Sequence, residues 1–512
     1  MRNQEIFVSL DIGTTSIKVV VAEYINGNVN IIGVGNEKSR GLSRGVIVDI
    51  DETVYSIQQA IAQAERKANV KINEVVVGIP SNKLAIEDCH GMIAVASENR
   101  EITSRDVDNV ISAAKVRSVP PEREVIAIIP EEFIVDGFNG IRDPRGMIGV
   151  RLELYARLIT GPRTIIHNIK RCVEKAGLKI NELVLQPQAI ATVALSADER
   201  EFGTVIIDMG GGQTSASIIY DNQLKYSFVD QEGGDFVTKD ISVILNTSLD
   251  SAERIKREYG YAVSSQTSSE EYFPVETVGQ KEPVRVDERY LAEIIEARLV
   301  QIFETIHEDL TAVDALDLPG GFVLTGGAAS LPGVLELAQE YFGEQVKIYI
   351  PAQMGMRNPI YTTSMGMIEY VAGLDDIHRI AQGTFAGATP TSQSRYASGA
   401  PQTSQVTQGG IREPHRGGSQ ASLDRGFRPA NAPTQGYDER SDYQERPVPK
   451  QETTNYNEFN QADQSSQYED SMYYDDYAAD EKQPQAVQNS EETSKSNSFT
   501  EKVRSFFATF FD

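Results

Sequence analysis

Apolar stretches of strand length alternate with stretches of helical periodicity over the first three quarters of the chain. The strand-like runs read IFVSLDIG, VIAIIPEEFIV, TVIIDMGGG and GFVLTGGAA. The helical patterns read VYSIQQAIAQAERKA, TIIHNIKRCVEKAG and ERYLAEIIEARLVQIFETIHEDL. Continuously apolar strands are typical of sheets that helices cover on both faces. The alternation therefore predicts an α/β fold.

The periodic pattern stops near residue 382, and the chain then becomes polar. Residues 383–498 are rich in Gln, Ser, Thr, Gly, Pro, Asp and Tyr and have few aliphatic side chains. Such a segment cannot bury enough apolar surface to offset its ordering entropy, so we predict a disordered linker that spans about 60 Å. A docking strip for a partner protein is the alternative for its tyrosine-rich part.

An apolar face returns in residues 499–512. On a helix, the apolar positions of this segment fall on one side. A helix of this kind behind a long linker predicts binding to a membrane surface, and packing on the chain's own body is the alternative. Basic residues beside the apolar face add attraction to anionic lipid. The predicted membrane-contacting residues are Phe499, Lys502, Val503, Arg504, Phe506, Phe507, Phe510 and Phe511.

Composition narrows the classes of function. The 512 residues carry a formal net charge of −26, which argues against nucleic-acid binding because such binding needs clustered Lys and Arg. The two cysteines, Cys89 and Cys172, make no disulfide framework, and a reducing cytoplasm fits them. No signal-peptide block opens the sequence, and no run reaches the roughly 18 apolar residues of a membrane span.

Two strand ends carry the same polar pattern. One apolar strand runs into DIGTTS at residues 11–16, and another runs into DMGGGQTS at residues 208–215. Glycine lets the backbone approach a phosphate closely, and hydroxyl and N–H groups donate to it. The pair predicts two related lobes that clamp a nucleotide, with Mg²⁺ near Asp11 and Asp208. The candidate phosphate-binding residues are Gly13, Thr14, Thr15, Gly210, Gly211, Gly212 and Thr214.

A third glycine turn, TGGA at residues 325–328, also follows an apolar strand. Gly326 and Gly327 would let the backbone pass close to a flat ligand such as a nucleoside. Gly-Gly turns are common, so this turn supports nucleotide binding only in combination with the two preceding loops. Neither of the first two loops matches a P-loop or a dinucleotide-binding motif.

Together, the paired loops and the later TGGA resemble the ATPase superfamily of actin, sugar kinases and heat-shock chaperones. Within it, the chain resembles the FtsA family, the actin-like proteins of bacterial cell division, over roughly residues 5–375 and the terminal segment. The more specific matches are IRDPRGMIGVRL at residues 141–152, GGD at 233–235, AERIK at 252–256 and the amphipathic end behind a linker.

The resemblance implies an actin-like ATPase fold of two lobes with an inserted small domain, and ATP and Mg²⁺ as cofactors. Asp11 and Asp208 would hold Mg²⁺ through water. Gln186 would position the attacking water, but Gln cannot accept a proton at neutral pH, so we expect slow or partner-dependent hydrolysis. The residues flanking adenosine would be Glu253, Lys256, Gly326 and Gly327, although a solvated helix face is the alternative for Glu253 and Lys256.

The resemblance also implies a domain plan. The first lobe would comprise residues 1–84, 162–195 and 352–382, and an inserted domain would occupy 85–161. The base of the second lobe would comprise residues 196–230 and 306–351, around a subdomain at 231–305. The linker at 383–498 and the helix at 499–512 would follow.

The implied function is that of an ATP-binding cell-division protein at the cytoplasmic face of the membrane, at the septum. It would polymerise with itself, bind membrane lipids through its C-terminal helix, tether the ring of the tubulin-like protein FtsZ and help to recruit later division proteins. The subdomain at 231–305 would receive the C-terminal tail of FtsZ. The inserted domain would support filament contacts and later partners.

Other functions remain open from the sequence alone. A shape-determining or pilus-assembly actin homologue is the nearest alternative, although the signature at residues 141–152 disfavours it. A sugar kinase needs a carboxylate base and a sugar pocket, and has no use for a terminal amphipathic helix. A chaperone needs a peptide-binding β-domain after residue 382, which the composition there excludes.

Overall fold

The computed structural model describes residues 4–386, apart from residues 26, 117 and 118. The predicted linker and the predicted terminal helix therefore lie outside the described residues. Within residues 4–386, no helix is long and apolar enough to cross a membrane.

The strands are numbered in chain order. They are β1 (Gln4–Ile12), β2 (Ser16–Ile25), β3 (Asn28–Lys38), β4 (Leu42–Ser43), β5 (Val46–Ile47), β6 (Glu74–Ile79), β7 (Ala85–Ala94), β8 (Arg123–Val135), β9 (Phe138–Ile141), β10 (Arg151–Pro162), β11 (Lys179–Leu185), β12 (Thr204–Met209), β13 (Thr214–Tyr220), β14 (Gln223–Asp230), β15 (Tyr272–Val275), β16 (Val284–Asp287), β17 (Phe322–Thr325) and β18 (Val346–Ile348). The four strand-like runs are β1, β8, β12 and β17, so those predictions are confirmed.

The α-helices follow the same numbering. They are α1 (Ile50–Ala68), α2 (Ser104–Ala114), α3 (Arg163–Lys175), α4 (Gln186–Ala194), α5 (Ala197–Phe202), α6 (Gly234–Ile244), α7 (Leu249–Tyr259), α8 (Glu288–Ala312), α9 (Val334–Phe342), α10 (Thr362–Gly373) and α11 (Asp376–Ala386). The three helical patterns are α1, α3 and α8, as predicted. The carboxylate of Asp49 caps the start of α1 by accepting from the backbone N–H groups of Asp51 and Glu52.

Two five-stranded sheets share one topology. The first has the order β11-β6-β1-β2-β3, and the second has the order β18-β17-β12-β13-β14. In each sheet, three successive antiparallel strands are completed by two parallel strands. We call the first sheet with the β4–β5 hairpin, α1, α3, α4 and α10 lobe one. Lobe two is the second sheet with α5 to α9 and the β15–β16 hairpin.

Burial on both faces of the sheet explains why apolar and polar residues do not alternate along these strands. Four successive residues of β2, Val19 to Ala22, are fully buried. Val19 and Val21 belong to the core beneath α1, whereas Val20 and Ala22 pack with residues of α10. Helices therefore cover this sheet on both faces, which removes the need for a polar face.

A third sheet, with the order β7-β10-β8-β9, is entirely antiparallel and lies between β6 and α3 in the chain. Leu152, Leu154 and Ala156 alternate along β10 toward a core that α2 completes. Near its end β10 enters lobe one, where Ile159 joins that lobe's core. The sheet with α2 is therefore a small domain inserted into lobe one.

The last described segment divides between two bodies. Helix α10 packs on lobe one, where Met365 and Ile368 are fully buried. Helix α11 instead packs on the inserted domain, and Ile377 and Ala381 lie in that domain's core. The predicted first-lobe range is 352–382, but the part of it that packs on lobe one ends with α10.

Candidate functional site

The two predicted phosphate loops turn in the same way. Loop one joins β1 to β2, and loop two joins β12 to β13. A Cβ at Gly13 would lie 2.8 Å from the carbonyl oxygen of Ser16, and a Cβ at Gly210 would lie 2.8 Å from that of Gln213. No residue with a side chain fits either tight turn without a shift. The repeated sequence pattern therefore corresponds to a repeated backbone structure.

The carboxylate at the end of β1 is held by two partners. Asp11 is the penultimate residue of β1 and is almost fully buried. Its Oδ2 atom forms an ion pair with Nζ of Lys18 at 3.2 Å, and its Oδ1 atom accepts from Nε2 of Gln186 at 3.0 Å. Gln186 is the first residue of α4, at the end of β11. The predicted metal residue and the predicted water-positioning residue are therefore in direct contact.

Asp208 occupies the equivalent position in β12 but has a different environment. The pKa of this carboxyl is raised to about 6, mainly by burial and also by the nearby carboxylate of Asp11, while Lys18 acts in the opposite direction. The backbone of Gly326 passes so close that a Cβ there would overlap the Asp208 carboxylate. Two carboxylates that repel each other and share one lysine form a site that favours an added cation.

The two loops meet face to face. A Cβ at Gly211 would overlap the hydroxyl of Thr15, and a Cβ at Gly212 would lie 2.5 Å from Cγ2 of Thr14. The threonines come from lobe one and the glycines from lobe two. Glycine is therefore required in loop two because any side chain would hold the lobes apart.

The start of α6 anchors loop two from behind. The N–H groups of Gly234 and Asp235 donate to the carbonyl oxygens of Gly210 and Gly211, at 3.0 and 2.8 Å. A Cβ at Gly233 would lie 2.6 Å from the Gly210 carbonyl oxygen. The GGD signature thus supports loop two by close backbone packing. The Asp235 carboxylate also reaches lobe one, where it accepts from the Thr15 hydroxyl at 3.2 Å.

Thr214 differs from the other predicted phosphate ligands. Its side chain is fully buried, and its hydroxyl donates to the carbonyl oxygen of Glu232 at 2.9 Å. The structure therefore gives this hydroxyl a partner within lobe two rather than an open position in the cleft. Loop two offers its backbone to a ligand, whereas loop one also offers side chains.

Glu253 and Lys256 are not a solvated helix face. Their side chains are 29% and 14% exposed and form an ion pair at 2.7 Å. Lys256 also donates to the carbonyl oxygen of Gly234, at 2.8 Å, which ties α7 to the support of loop two. Burial raises the pKa of Glu253, but Lys256 and the hydroxyl of Thr238 outweigh it and hold this pKa below its usual range.

Gly326 and Gly327 lie beside this pair, at the end of β17. Ala328, the next residue, is close enough to contact a Cβ built on Gly234. A cavity of about 380 Å³ opens immediately beyond, lined by residues 329–333, 335, 336, 348, 350 and 357–359. At the base of the cleft, the buried hydroxyl of Thr325 donates to that of Thr362 on α10, at 2.7 Å, so the third turn is fastened to lobe one.

The structure thus brings the predicted residues between positions 11 and 327 into two adjoining groups. One surrounds Asp11 and Asp208, and the other surrounds Gly234, with Glu253 and Lys256. Among the described residues, no cluster of three or more His, Cys, Asp or Glu side chains is arranged to hold a metal ion. The predicted membrane-contacting residues, Phe499 to Phe511, lie outside the described residues.

Sequence reasoning missed Lys18 as a member of this site. Lys18 is the register partner of Asp11 across the β1–β2 hairpin. A hairpin with a tight turn after Asp11 would therefore have predicted that the two side chains are neighbours. It also missed Gln213 and Asn82, whose side chains join across the cleft at 3.0 Å. No local pattern connects those two residues, because they lie 131 positions apart.

Known proteins and family models resemble this chain over most of the described residues. A family model described as cell division protein FtsA matches residues 205–366, and one described as the SHS2 domain inserted in FtsA matches residues 81–160. A protein named cell division protein FtsA from Enterococcus hirae is 58% identical over 389 residues, which cover 76% of this chain and 88% of that protein. The chain belongs to the FtsA family. The protein of the same name from Enterococcus faecalis is also 58% identical, over 387 residues that cover 76% and 88% of the two chains.

A solved structure agrees with the fold of this FtsA-family chain. The PilM-PilN type IV pilus biogenesis complex aligns with a TM-score of 0.50 at 14% identity, covering 72% of this chain and 99% of that one. At this identity the likeness concerns the fold alone. The predicted actin-like ATPase fold with an inserted domain is confirmed, and the insert is the SHS2 domain of the FtsA family.

Proposed function

We propose that this FtsA-family chain binds Mg-ATP between its lobes, polymerises on the cytoplasmic face of the membrane and links the FtsZ ring to that membrane. Nucleotide binding is supported by one observation: loops one and two meet, with Asp11 and Asp208 at the ends of equivalent strands. A ligand between these loops would be gripped by both lobes. Binding would then favour the closed arrangement of the lobes over an open one.

The donors of the cleft fit a polyphosphate. Thr14 and Thr15 supply hydroxyls from loop one, and Gly211 and Gly212 of loop two would supply backbone N–H groups, because the Gly210 N–H is used within the turn by donating to the Gln213 carbonyl oxygen. Lys18 adds a buried positive charge. Mg²⁺ would neutralise charge on the phosphates, and Asp11 and Asp208 would hold it through water, since carboxylate and water oxygens are its preferred ligands.

The raised pKa of Asp208 supports this assignment. A carboxyl with a pKa of about 6 changes between its neutral and charged forms around pH 6. A divalent cation in the cleft would favour the charged form, and magnesium binding would then release a proton when the pH is close to this pKa. Measuring this proton release therefore tests the magnesium site without depending on ATP turnover.

We propose that hydrolysis is slow. The side-chain nitrogen of Gln186 donates to Asp11, which leaves its carbonyl oxygen to orient a water. An amide cannot take the proton that the water loses on attack. Without a general base, catalysis forfeits a factor of about 10²–10⁴. ATP would then act mainly as a clamp whose occupancy sets lobe closure and polymer state.

The remaining parts of the proposal rest on family membership. The subdomain at 231–305, which contains α6, α7 and the β15–β16 hairpin, would receive the FtsZ tail. The SHS2 domain would support filament contacts and later division proteins. The helix at 499–512 would bind lipid weakly, because full burial of one Phe contributes about 1.5–3 kcal/mol and insertion is partial. Polymerisation would multiply these anchors and strengthen attachment.

Liposome flotation tests the membrane part. Phe510→Glu removes one apolar contact and adds a negative charge, whereas Ser505→Glu adds the same charge away from the apolar face. We expect full-length protein and Ser505→Glu to float with anionic liposomes, more strongly with Mg-ATP, and Phe510→Glu to stay in solution. Equal flotation of both variants would contradict the proposed membrane-binding helix.

A further inference from the structure

A side chain of loop two reaches across the cleft into lobe one. Gln213 lies between Gly212 and Thr214, and its Oε1 atom accepts from Nδ2 of Asn82 at 3.0 Å. A Cβ at Gly45 would also overlap the Gln213 amide. The Gln213 amide is therefore enclosed by Gly45 and Asn82, and we call these two residues the Gln213 socket.

The socket lies on the lobe-one side of the cleft: Gly45 belongs to the β4–β5 hairpin of lobe one, and Asn82 belongs to the connection from β6 to β7. Asn82 is only 6% exposed, so its amide is buried rather than solvated. Within the part of the chain that the structure describes, its Oδ1 atom has no hydrogen-bond partner, and the contact with Gln213 is its polar anchor. Gly45 has a φ of +72°, a conformation that favours glycine, in the β4–β5 hairpin. Its N–H donates to the Thr14 hydroxyl at 3.0 Å, which joins the socket to loop one.

A second bridge crosses the cleft nearby, but it has a different charge. The Thr15 hydroxyl donates to the Asp235 carboxylate at 3.2 Å. A phosphate bound to loop one would compete for that hydroxyl, and the two anions would repel each other. The Thr15–Asp235 bridge is therefore the one that a phosphate breaks. The Gln213–Asn82 bridge is neutral, so a bound anion leaves its attraction intact.

We propose that Gln213 is a positioning residue that latches the cleft shut around the phosphates. Loop two would carry the latch, Gly45 and Asn82 would receive it, and it would keep the loops opposed while Thr15 changes its partner from Asp235 to phosphate. The proposal rests on nucleotide binding between the lobes and adds a named determinant of how long the nucleotide stays. Each partner lies on a different lobe, so breaking the latch favours opening.

The first test measures release of a fluorescent ATP analogue, with Mg²⁺, from the full-length protein. We expect Gln213→Ala to speed dissociation about fivefold, the factor expected from one net hydrogen bond, and to change association little. Asn82→Ala should have the same effect. The double variant should be no faster than either single variant, because both remove the same interaction.

A second test detects closure without nucleotide. Lys38 and Asp250 face each other from the two lobes, with Nζ and Oδ1 at 3.5 Å and side chains 77% and 94% exposed. A cysteine side chain is shorter than a lysine side chain, so Lys38→Cys and Asp250→Cys would be joined by a short bis-maleimide cross-linker, preferentially when the lobes are closed. We expect Gln213→Ala to slow this cross-linking about fivefold. The native thiols of Cys89 and Cys172 are buried and do not compete.

In a Gly45→Ala background, Gln213→Ala should have the opposite effect. Gly45→Ala should slow cross-linking because its Cβ meets the Gln213 amide, and adding Gln213→Ala should restore part of the rate by removing that overlap. Gly27→Ala is the matched control, since Gly27 also has a positive φ, +84°, but nothing lies within 4 Å of its Cβ. It should leave the rate unchanged.

The outcomes separate the latch from nucleotide binding. If the unmodified protein fails to bind the ATP analogue, the proposed function is wrong, and the cross-linking rate alone decides whether Gln213 holds the lobes together. If the analogue binds but neither its release nor the cross-linking rate responds to Gln213→Ala, the latch is wrong and nucleotide binding stands.

Discussion

The two predicted phosphate loops share a backbone conformation and differ in charge. In both, an aspartate is the penultimate residue of a central strand and the glycine two positions later makes the same tight turn. Across the hairpin, however, Asp11 faces Lys18, whereas Asp208 faces Ser215. One carboxylate has a cation beside it in its own lobe, and the other relies on the cation of the opposite lobe.

This difference separates geometry from electrostatics. The repeated motif specifies where the chain turns, and the residue seven positions after the aspartate specifies whether the carboxylate is neutralised. Asp11 therefore belongs to a buried ion pair, and the pKa of Asp208 is raised to about 6. A magnesium ion between the loops would bind next to one neutralised and one uncompensated carboxylate.

The largest expected effect comes from removing the lysine of loop one. Lys18→Met leaves the Asp11 carboxylate buried without its ion-pair partner, which should lower the free energy of unfolding by about 3–5 kcal/mol. Ser215→Ala, at the equivalent position of loop two, should cost less than about 1 kcal/mol. Urea denaturation at pH 7 measures both.

A paired variant controls for the volume change at Lys18. Asp11→Asn combined with Lys18→Met removes both charges and should recover most of the lost stability, because a neutral pair costs less to bury than one unpaired charge. Equal losses from Lys18→Met and Ser215→Ala would mean that the two loops do not differ in how their carboxylates are neutralised.

The next effect concerns pH. The folded pKa of Asp208, about 6, lies above its ordinary value of 3.8, so the folded protein binds more protons than the unfolded chain between these values. Its contribution to stability is thus full below about pH 4 and is lost as the pH rises through 6. Asp208→Asn should make the nucleotide-free protein lose less stability between pH 5 and pH 7, as measured by urea denaturation at each pH. An unchanged pH dependence in Asp208→Asn would show that this carboxyl titrates normally.

The smallest effect distinguishes the threonines of the two loops. Thr15→Ala removes an exposed hydroxyl of the cleft and should weaken ATP binding about five- to tenfold with little change in stability. Thr214→Ala leaves the Glu232 carbonyl without its donor and should lower the free energy of unfolding by about 1–2 kcal/mol while ATP affinity changes little. Titration with the ATP analogue and thermal unfolding separate the two effects, and a reversed pattern would exchange the roles of the two threonines.

Local patterns predicted much of the fold and part of the site. The apolar runs and helical periodicities gave the central strands and long helices, because burial on both faces leaves a continuous apolar signature, as in Val19 to Ala22. The aspartate and glycine positions of both loops followed from turn chemistry. The sequence could not reveal the latch, because Gly45, Asn82 and Gln213 meet only after both lobes have folded.

Two further departures have the same origin. Thr214 fits the phosphate pattern in sequence, but the tertiary structure gives its hydroxyl to Glu232. Helix α11 follows lobe-one residues along the chain, yet its apolar face completes the core of the SHS2 domain. In both cases a residue's neighbours in space, rather than its neighbours in sequence, determine its partner.

The central claim is that both loops together bind Mg-ATP, and one titration tests it most directly. Gly211→Ala inserts a Cβ into the hydroxyl of Thr15, whereas Gly373→Ala inserts one where nothing lies within 4 Å. Neither glycine has a positive φ, so backbone strain does not distinguish the two variants. We predict Mg²⁺-dependent binding of the ATP analogue to the full-length protein, unchanged by Gly373→Ala and weakened at least about tenfold by Gly211→Ala. Equal binding by both variants would contradict a nucleotide site between the two loops.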